Sequence, residues 1–290
     1  KNQSKDIKLM EEADYMIVSS LFYQGKAGDG TILKDFLDDY PESYHRNQIS
    51  FFTGSNHFQQ KDWNKALHWF SQVDIDILSV SEQEDYSYRM AYASLQKGDR
   101  KEAKNLFGLL SRNSKKYAEP ASYYLAYAIF QEGEYDQAIA TFRRLKSKPE
   151  YKENATFFLI QSEFLQGNMN GTISEGQDFI SSYPGSKNIG EVYRLLGSSY
   201  YRLGNIQNAI RNYEQYRATT STPFREDMYQ LAEAYYQTGA YGNAVEALKD
   251  VASTTDKLGQ AGQMLLGQSY LKLNDTQNAV MAFEAAARSE

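Results

Sequence analysis

Small and large apolar residues follow one another along this chain at a helical spacing. An alanine with a large residue four places later recurs as Ala66/Phe70, Ala103/Phe107, Ala138/Phe142, Ala209/Tyr213, Ala244/Leu248 and Ala279/Phe283, with a degenerate copy at Thr172/Gly176. The alanine-type positions are separated by 37, 35, 34, 37, 35 and 35 residues. Five residues before each stands a turn residue: Lys61, Gly98, Gly133, Gly167, Gly204, Gly239 or Asn274. Glycine and asparagine tolerate the left-handed conformation that ends a helix. Twelve residues before each alanine comes another small residue (Gly54, Ala91, Ala126, Gly197, Ala232, Gly267), replaced by Ile160 in the degenerate copy. The pattern predicts a helix of about a dozen residues, a tight turn and a second helix in each copy. Residues four apart share a helix face, so alanine and ring together form one packing surface. Such a pair cannot bury that surface alone, and stacking on the next pair supplies the core. No segment alternates with a strand's period of two, and a heptad coiled coil would show a different repeat.

The pattern resembles the tetratricopeptide repeat (TPR) family. Tyr193 to Tyr200, then Gly204, Ala209 and Tyr213, reads as one full repeat, and Met228 to Tyr235, then Gly239, Tyr241, Ala244 and Leu248, as another. The resemblance implies an all-α, right-handed superhelix of about eight helix pairs. The expected organisation is a single array over 1–290, with repeats near 47–80, 84–117, 119–152, 190–223, 225–258 and 260–290 and degenerate ones at 11–44 and 153–187. In the first of these, Asp14–Tyr23 and Ile32–Tyr40 read as helices around Gly25–Gly30. The copy at 153–187 is expected to be the least regular, because it carries Ile160, Gly171 and Gly176. Asp39-Tyr-Pro-Glu-Ser43 and Ser182-Tyr-Pro-Gly-Ser186 look like the repeat junctions of bacterial cell-envelope TPR proteins, of the outer-membrane assembly lipoprotein and Tol-Pal coordinator type. That implies a periplasmic or outer-membrane-associated setting, with the cytoplasm as the alternative, since Tyr-Pro is also simply a helix stop.

Composition narrows the functional classes. The chain has 41% hydrophobic and 23% charged residues, as folded proteins do. It has no cysteine, which removes disulfides, thiolate metal sites and cysteine nucleophiles. The net charge of −6 argues against nucleic acid as the main partner. No apolar run reaches the ~20 residues of a membrane helix, and the first thirty residues do not read as a signal peptide. The start at Lys1 and the stop at Ala285–Glu290, without a polar capping helix, lead us to expect a piece of a longer protein, or self-association through the last repeat.

Catalytic and metal chemistry find little support. Of the three histidines, His45, His57 and His68, His57 takes the place of a core tyrosine and is expected to be buried and hydrogen-bonded. Gly25–Thr31 lacks the Lys-Ser/Thr ending of a phosphate loop and follows no strand. The acids Asp35/Asp38/Asp39 and Glu82/Glu84/Asp85 track exposed faces and helix starts. The cations Arg112, Lys115, Lys116, Arg143, Arg144, Lys146 and Lys148 read as solvated second-helix surface. No catalytic residue, metal or cofactor is expected, and the chain is read as a non-enzyme.

The concave first-helix face, implied by the family resemblance, is the remaining candidate. Its positions hold Phe51, Phe58, Tyr88, Tyr92, Tyr123, Tyr127, Phe130, Phe157, Phe164, Tyr201, Tyr229 and Tyr236, interrupted by Arg194 and Glu233. TPR clamps for Glu-Glu-Val-Asp tails use lysine, asparagine and arginine there. This chain has aromatics, with Arg89 and Arg194 read as isolated. The expected function is a protein–protein interaction scaffold that binds a peptide or helical segment through Tyr88, Tyr92, Tyr123, Tyr127, Phe157, Arg194, Tyr201 and Tyr229. Alternatives from the sequence are the recognition or sensor domain of a larger enzyme or signalling protein, and glycan binding. The same rings could also serve inter-repeat packing.

Overall fold

The computed structural model describes residues 2–288, with side chains from residue 6. Among them are sixteen α-helices and no strand. Two compact units divide the chain, residues 1–134 and 135–290. The first holds α1 (Asn2–Tyr23), α2 (Thr31–Asp39), α3 (Arg46–Gln59), α4 (Trp63–Phe70), α5 (Val80–Gln96), α6 (Arg100–Asn113) and α7 (Ala118–Gln131). The second holds α8 (Tyr135–Leu145), α9 (Lys152–Gln166), α10 (Met169–Ser182), α11 (Ile189–Arg202) and α12 (Ile206–Thr219). It continues with α13 (Arg225–Gln237), α14 (Tyr241–Leu248), α15 (Lys257–Lys272) and α16 (Thr276–Arg288). The helix expected from Asp14 begins earlier, at Asn2. The segment expected to be least regular consists of two complete helices, α9 and α10. The shortest second helices are instead α4 and α14, each of 8 residues and each followed by a 3₁₀ turn, Ile75–Ile77 and Val251–Ser253.

Each helix pair turns on a residue with positive φ. Lys61, Gly98, Gly133, Gly167, Gly204, Gly239 and Asn274 all lie between +59° and +90°. The next residue often starts the second helix: Asp62, Asp99, Asn168 and Asn205 accept a hydrogen bond from the backbone N–H three residues on. A side-chain oxygen there satisfies a donor that the helix itself leaves orphaned. The turn therefore combines a left-handed residue with an N-cap, a second half that the sequence reading did not use.

This geometry makes opposite predictions at two turns. Lys61 sits exposed at φ +60°, where an L-residue is strained. Lys61→Gly is expected to raise stability by ~0.5–1 kcal/mol. Gly98 has no atom within 4 Å of where a Cβ would stand, so Gly98→Ala meets only backbone strain. It is expected to lower stability by about 1 kcal/mol. Urea titration followed by circular dichroism distinguishes the two signs.

Within each unit the core lies between paired helices. Ala66, Phe70, Ala103, Phe107, Ala138, Phe142, Ala209, Tyr213, Ala244, Leu248 and Ala279 have no exposed surface. The small first-helix residues admit the facing rings. A Cβ added at Gly54 would lie 2.6 Å from the Phe70 ring, and one at Gly197 2.7 Å from the Tyr213 ring. Between α9 and α10 the sizes are exchanged. Ile160 is fully buried at the small position, Gly176 stands at the large one, and Leu196 of α11 packs where a Gly176 side chain would be.

Candidate functional site

The first-helix face of the first unit is a packed aromatic surface. Tyr88 stacks on Tyr117 with centroids 4.4 Å apart, and its edge meets Phe107. Phe58, Trp63 and Tyr92 form a mutual edge-to-face triad at 5.4–5.6 Å. Tyr92 also meets Tyr124 at 4.9 Å, and Tyr124 meets Tyr123. The Tyr127 hydroxyl accepts from Gln131 at 2.9 Å. Tyr88, Tyr92, Tyr123 and Tyr127 are each half-buried, with one flank on neighbouring side chains and the remainder facing solvent. Tilted rings at these separations attract through their quadrupoles, so the surface is stiff. Phe51 departs from its expected place. It is buried beneath the Arg89 guanidinium, which lies 5.6 Å from its ring centre, and belongs to the core.

Arg89 is not isolated. It donates to the Ser55 hydroxyl and lies 3.8 Å from Asp85. It borders a cleft of about 200 Å³ with Tyr23, Phe51, Glu82 and Asp85. Glu82 accepts from the Tyr23 hydroxyl at 2.6 Å and closes a capping box with Ser79. Asp85 accepts from Lys116 at 2.5 Å and from Tyr117 at 2.9 Å. Glu82 and Asp85, expected as solvated helix-start acids, therefore tie α5 to α1 and to the segment before α7. Because their partners lie 31 or more residues away, local spacing does not reveal the links.

The second unit carries the remaining predicted residues. Phe157 meets Phe158 and Phe179 at 5.4 and 6.4 Å. The Tyr201 hydroxyl donates to Glu233 at 2.7 Å. Burial, followed by that carboxylate, pushes the Tyr201 hydroxyl pKa upward, and burial does the same for Tyr229. Arg194 is also far from isolated. It donates twice to Glu191, at 2.8 and 2.7 Å, lies 3.5 Å from Asp227 and sits over the Phe224 ring at 5.4 Å. Phe224 is exposed, and sequence reasoning missed it. Its only signal is its position just before the charged start of α13. Met264 and Leu271, seven residues apart on α15, are also exposed.

The other candidates resolve differently. His57 is half-buried, and burial lowers its pKa. Contrary to expectation, its Nδ1 has no hydrogen-bond partner. His68 is exposed and bonds Gln72 at 3.0 Å. Among the described residues no group of three or more His, Asp or Glu is placed to hold a metal. Several of the basic side chains are engaged rather than freely solvated: Lys116 with Asp85, Arg143 with the buried Glu163, and Lys146 with Glu175. Gly25–Thr31 is an interhelix turn in which Asp29 accepts from the Thr31 backbone and hydroxyl. No described helix is long and apolar enough to cross a membrane.

Comparison with known proteins sharpens the fold. The family of outer membrane lipoproteins matches residues 116–224, and the family of anaphase-promoting complex (cyclosome) subunit 3 matches residues 202–286. No curated protein sequence matches the chain. Among solved structures it is similar to the C-terminal part of a TPR repeat-containing protein from Cytophaga hutchinsonii. That pair has a TM-score of 0.64 at 12% identity, over 83% of this chain and 95% of the other. A tetratricopeptide repeat protein from Parabacteroides merdae gives 0.53 at 16% identity, over 89% and 98%. The MamA protein gives 0.51 at 20% identity, over 60% and 93%. Helix pairs turning on a left-handed residue, alanine and ring buried one turn apart, and these likenesses agree: the chain is a tetratricopeptide repeat protein with an all-α solenoid fold.

Proposed function

We propose that the protein is a non-catalytic scaffold that binds a peptide or helical segment of another protein on its aromatic first-helix faces. The contacts would be Tyr88, Tyr92, Tyr123 and Tyr127 in the first unit, and Phe157, Arg194, Tyr201 and Tyr229 in the second. The observation that carries this reading is the half-burial of the four tyrosines of the first unit. Their neighbours fix the rings in advance, so a ligand loses little entropy in ordering them. The match to the outer membrane lipoprotein family over 116–224 supports a place in the bacterial cell envelope.

The test is a selection of peptides from a displayed random library against the chain, followed by affinity measurements on Tyr92→Ala/Tyr127→Ala. Anchors of this kind contribute at least ~2 kcal/mol each, so a loss of thirtyfold or more is expected, with helical circular dichroism retained. Because Tyr92 packs on Phe58 and Trp63, Tyr127→Ala alone serves as the control that leaves the triad intact. Selected peptides that bind both variants as they bind the parent would place the site elsewhere.

A further inference from the structure

The first helix pair carries a second surface that the tyrosine face does not use. Between α1 and α2 lies a cleft of about 190 Å³, floored by Ile17, Ile32 and Phe36 and rimmed by Asp14, Asp35 and Asp39. Ile17 is 54% exposed, and Met10, two turns earlier on the same helix face, is 61% exposed. Among the described residues no lysine, arginine or histidine pairs with any of the three carboxylates. Asp14 accepts only from the neutral Tyr40 hydroxyl, at 2.6 Å, and Lys34 lies 3.9 Å from Asp38 instead.

The charge distribution selects the occupant. Residues 10–42 contain eight carboxylates and two lysines, which equals the net charge of −6 of the whole chain. The rest of the sequence is balanced, and three of these carboxylates, Asp14, Asp35 and Asp39, line the cleft. A partner of opposite sign is drawn to such a patch, and one of like sign is repelled. A second copy does not supply that sign. Exposed apolar residues also occur on the last pair, at Leu271, Leu273, Val280 and Met281, but residues 256–288 hold three cations and three carboxylates. We propose that the α1–α2 cleft docks a cationic amphipathic helix of a partner protein. Its apolar face would lie on Ile17 and Ile32, above the buried Phe36, and its lysines or arginines would reach Asp14, Asp35 and Asp39.

The probe is a fluorescent 14-residue helix of leucine and lysine with the leucines on one face, titrated by anisotropy against the chain. Asp35→Asn/Asp39→Asn and Ile17→Ser alter exposed positions and should keep the parent's circular dichroism. Each is expected to weaken binding at least tenfold, and binding to the parent is expected to fall as salt is raised. Asp250→Asn/Glu284→Gln, which removes two carboxylates from the second unit, is expected to change nothing. Equal losses in Asp250→Asn/Glu284→Gln would reduce the effect to general charge and overturn the proposal. So would equal binding of a scrambled peptide of the same composition. A loss confined to Tyr92→Ala/Tyr127→Ala would move the peptide to the aromatic face. Self-association of the chain that disappears in Ile17→Ser would assign the cleft to a second copy.

Discussion

Gly54→Ile is expected to destabilise the first unit by about 3 kcal/mol, near the upper end of what overpacking costs. The new side chain has nowhere to go. Its Cβ alone would stand 2.6 Å from the Phe70 ring and 3.3 Å from the Ala66 carbonyl oxygen, and Phe70 itself is fully buried. The α9–α10 pair points to a compensation, because there Ile160 and Gly176 hold the same two register positions with sizes exchanged. Adding Phe70→Gly to Gly54→Ile is therefore expected to recover part of the loss, although a glycine inside a helix costs about 1 kcal/mol. Coupling between residues in contact runs to roughly 0.5–3 kcal/mol, so a double-mutant cycle by urea titration resolves it. A double variant no better than the sum of its parts would mean that the exchange is not what lets α9 and α10 pack.

Asp227→Asn is expected to stabilise the second unit at pH 8 and to do nothing at pH 3.5. The Asp227 side chain is only 7% exposed, and its Oδ2 has no hydrogen-bond partner. Burial pushes its pKa up to about 6, against the attraction of Arg194. Arg194 does not offset the burial because Glu191 holds its guanidinium at 2.7–2.8 Å, and the contact to Asp227 is 3.5 Å. The sign follows from proton binding. Between the unfolded value near ~4 and the folded value, the native chain keeps a proton that the unfolded chain has lost. Asp227's contribution therefore declines as pH rises through that window, and the full penalty is present above about 6. A shift of this size corresponds to at most ~3 kcal/mol, and a gain of about 1–2 kcal/mol in the asparagine variant is expected at pH 8. Urea titrations of both proteins from pH 3.5 to 8 should diverge as the pH rises. Parallel curves would show that Asp227 is already compensated.

Much of the fold was legible because its determinants are local. A positive φ is a property of one residue and its neighbours, so the seven turn positions could be read from glycines, an asparagine and the phase of Lys61. The i, i+4 alanine–ring pairs could be read because helix geometry alone puts them on one face. Half of the turn motif went unread although it too is local, since Asp62, Asp99, Asn168 and Asn205 stand directly after those residues as N-caps. The candidate face was legible only as a list of positions. Phe51 and Phe58 stand seven residues apart on the same expected face of one helix, yet Phe51 is core beneath Arg89 while Phe58 joins Trp63 and Tyr92.

By itself, then, the sequence determined the helix-pair period, the turns, the buried alanine and ring positions and the tetratricopeptide identity, all of which repeat along the chain with a fixed register. Only the tertiary structure decided which charges are engaged and which aromatic rings stay half-open. Arg194 reaches Asp227, Tyr23 reaches Glu82 and Lys116 reaches Asp85 across 31 to 59 residues of sequence. Those partners meet because neighbouring helices lie side by side, and a side chain's exposure depends on what the adjacent helix places over it. No local spacing along the chain encodes that.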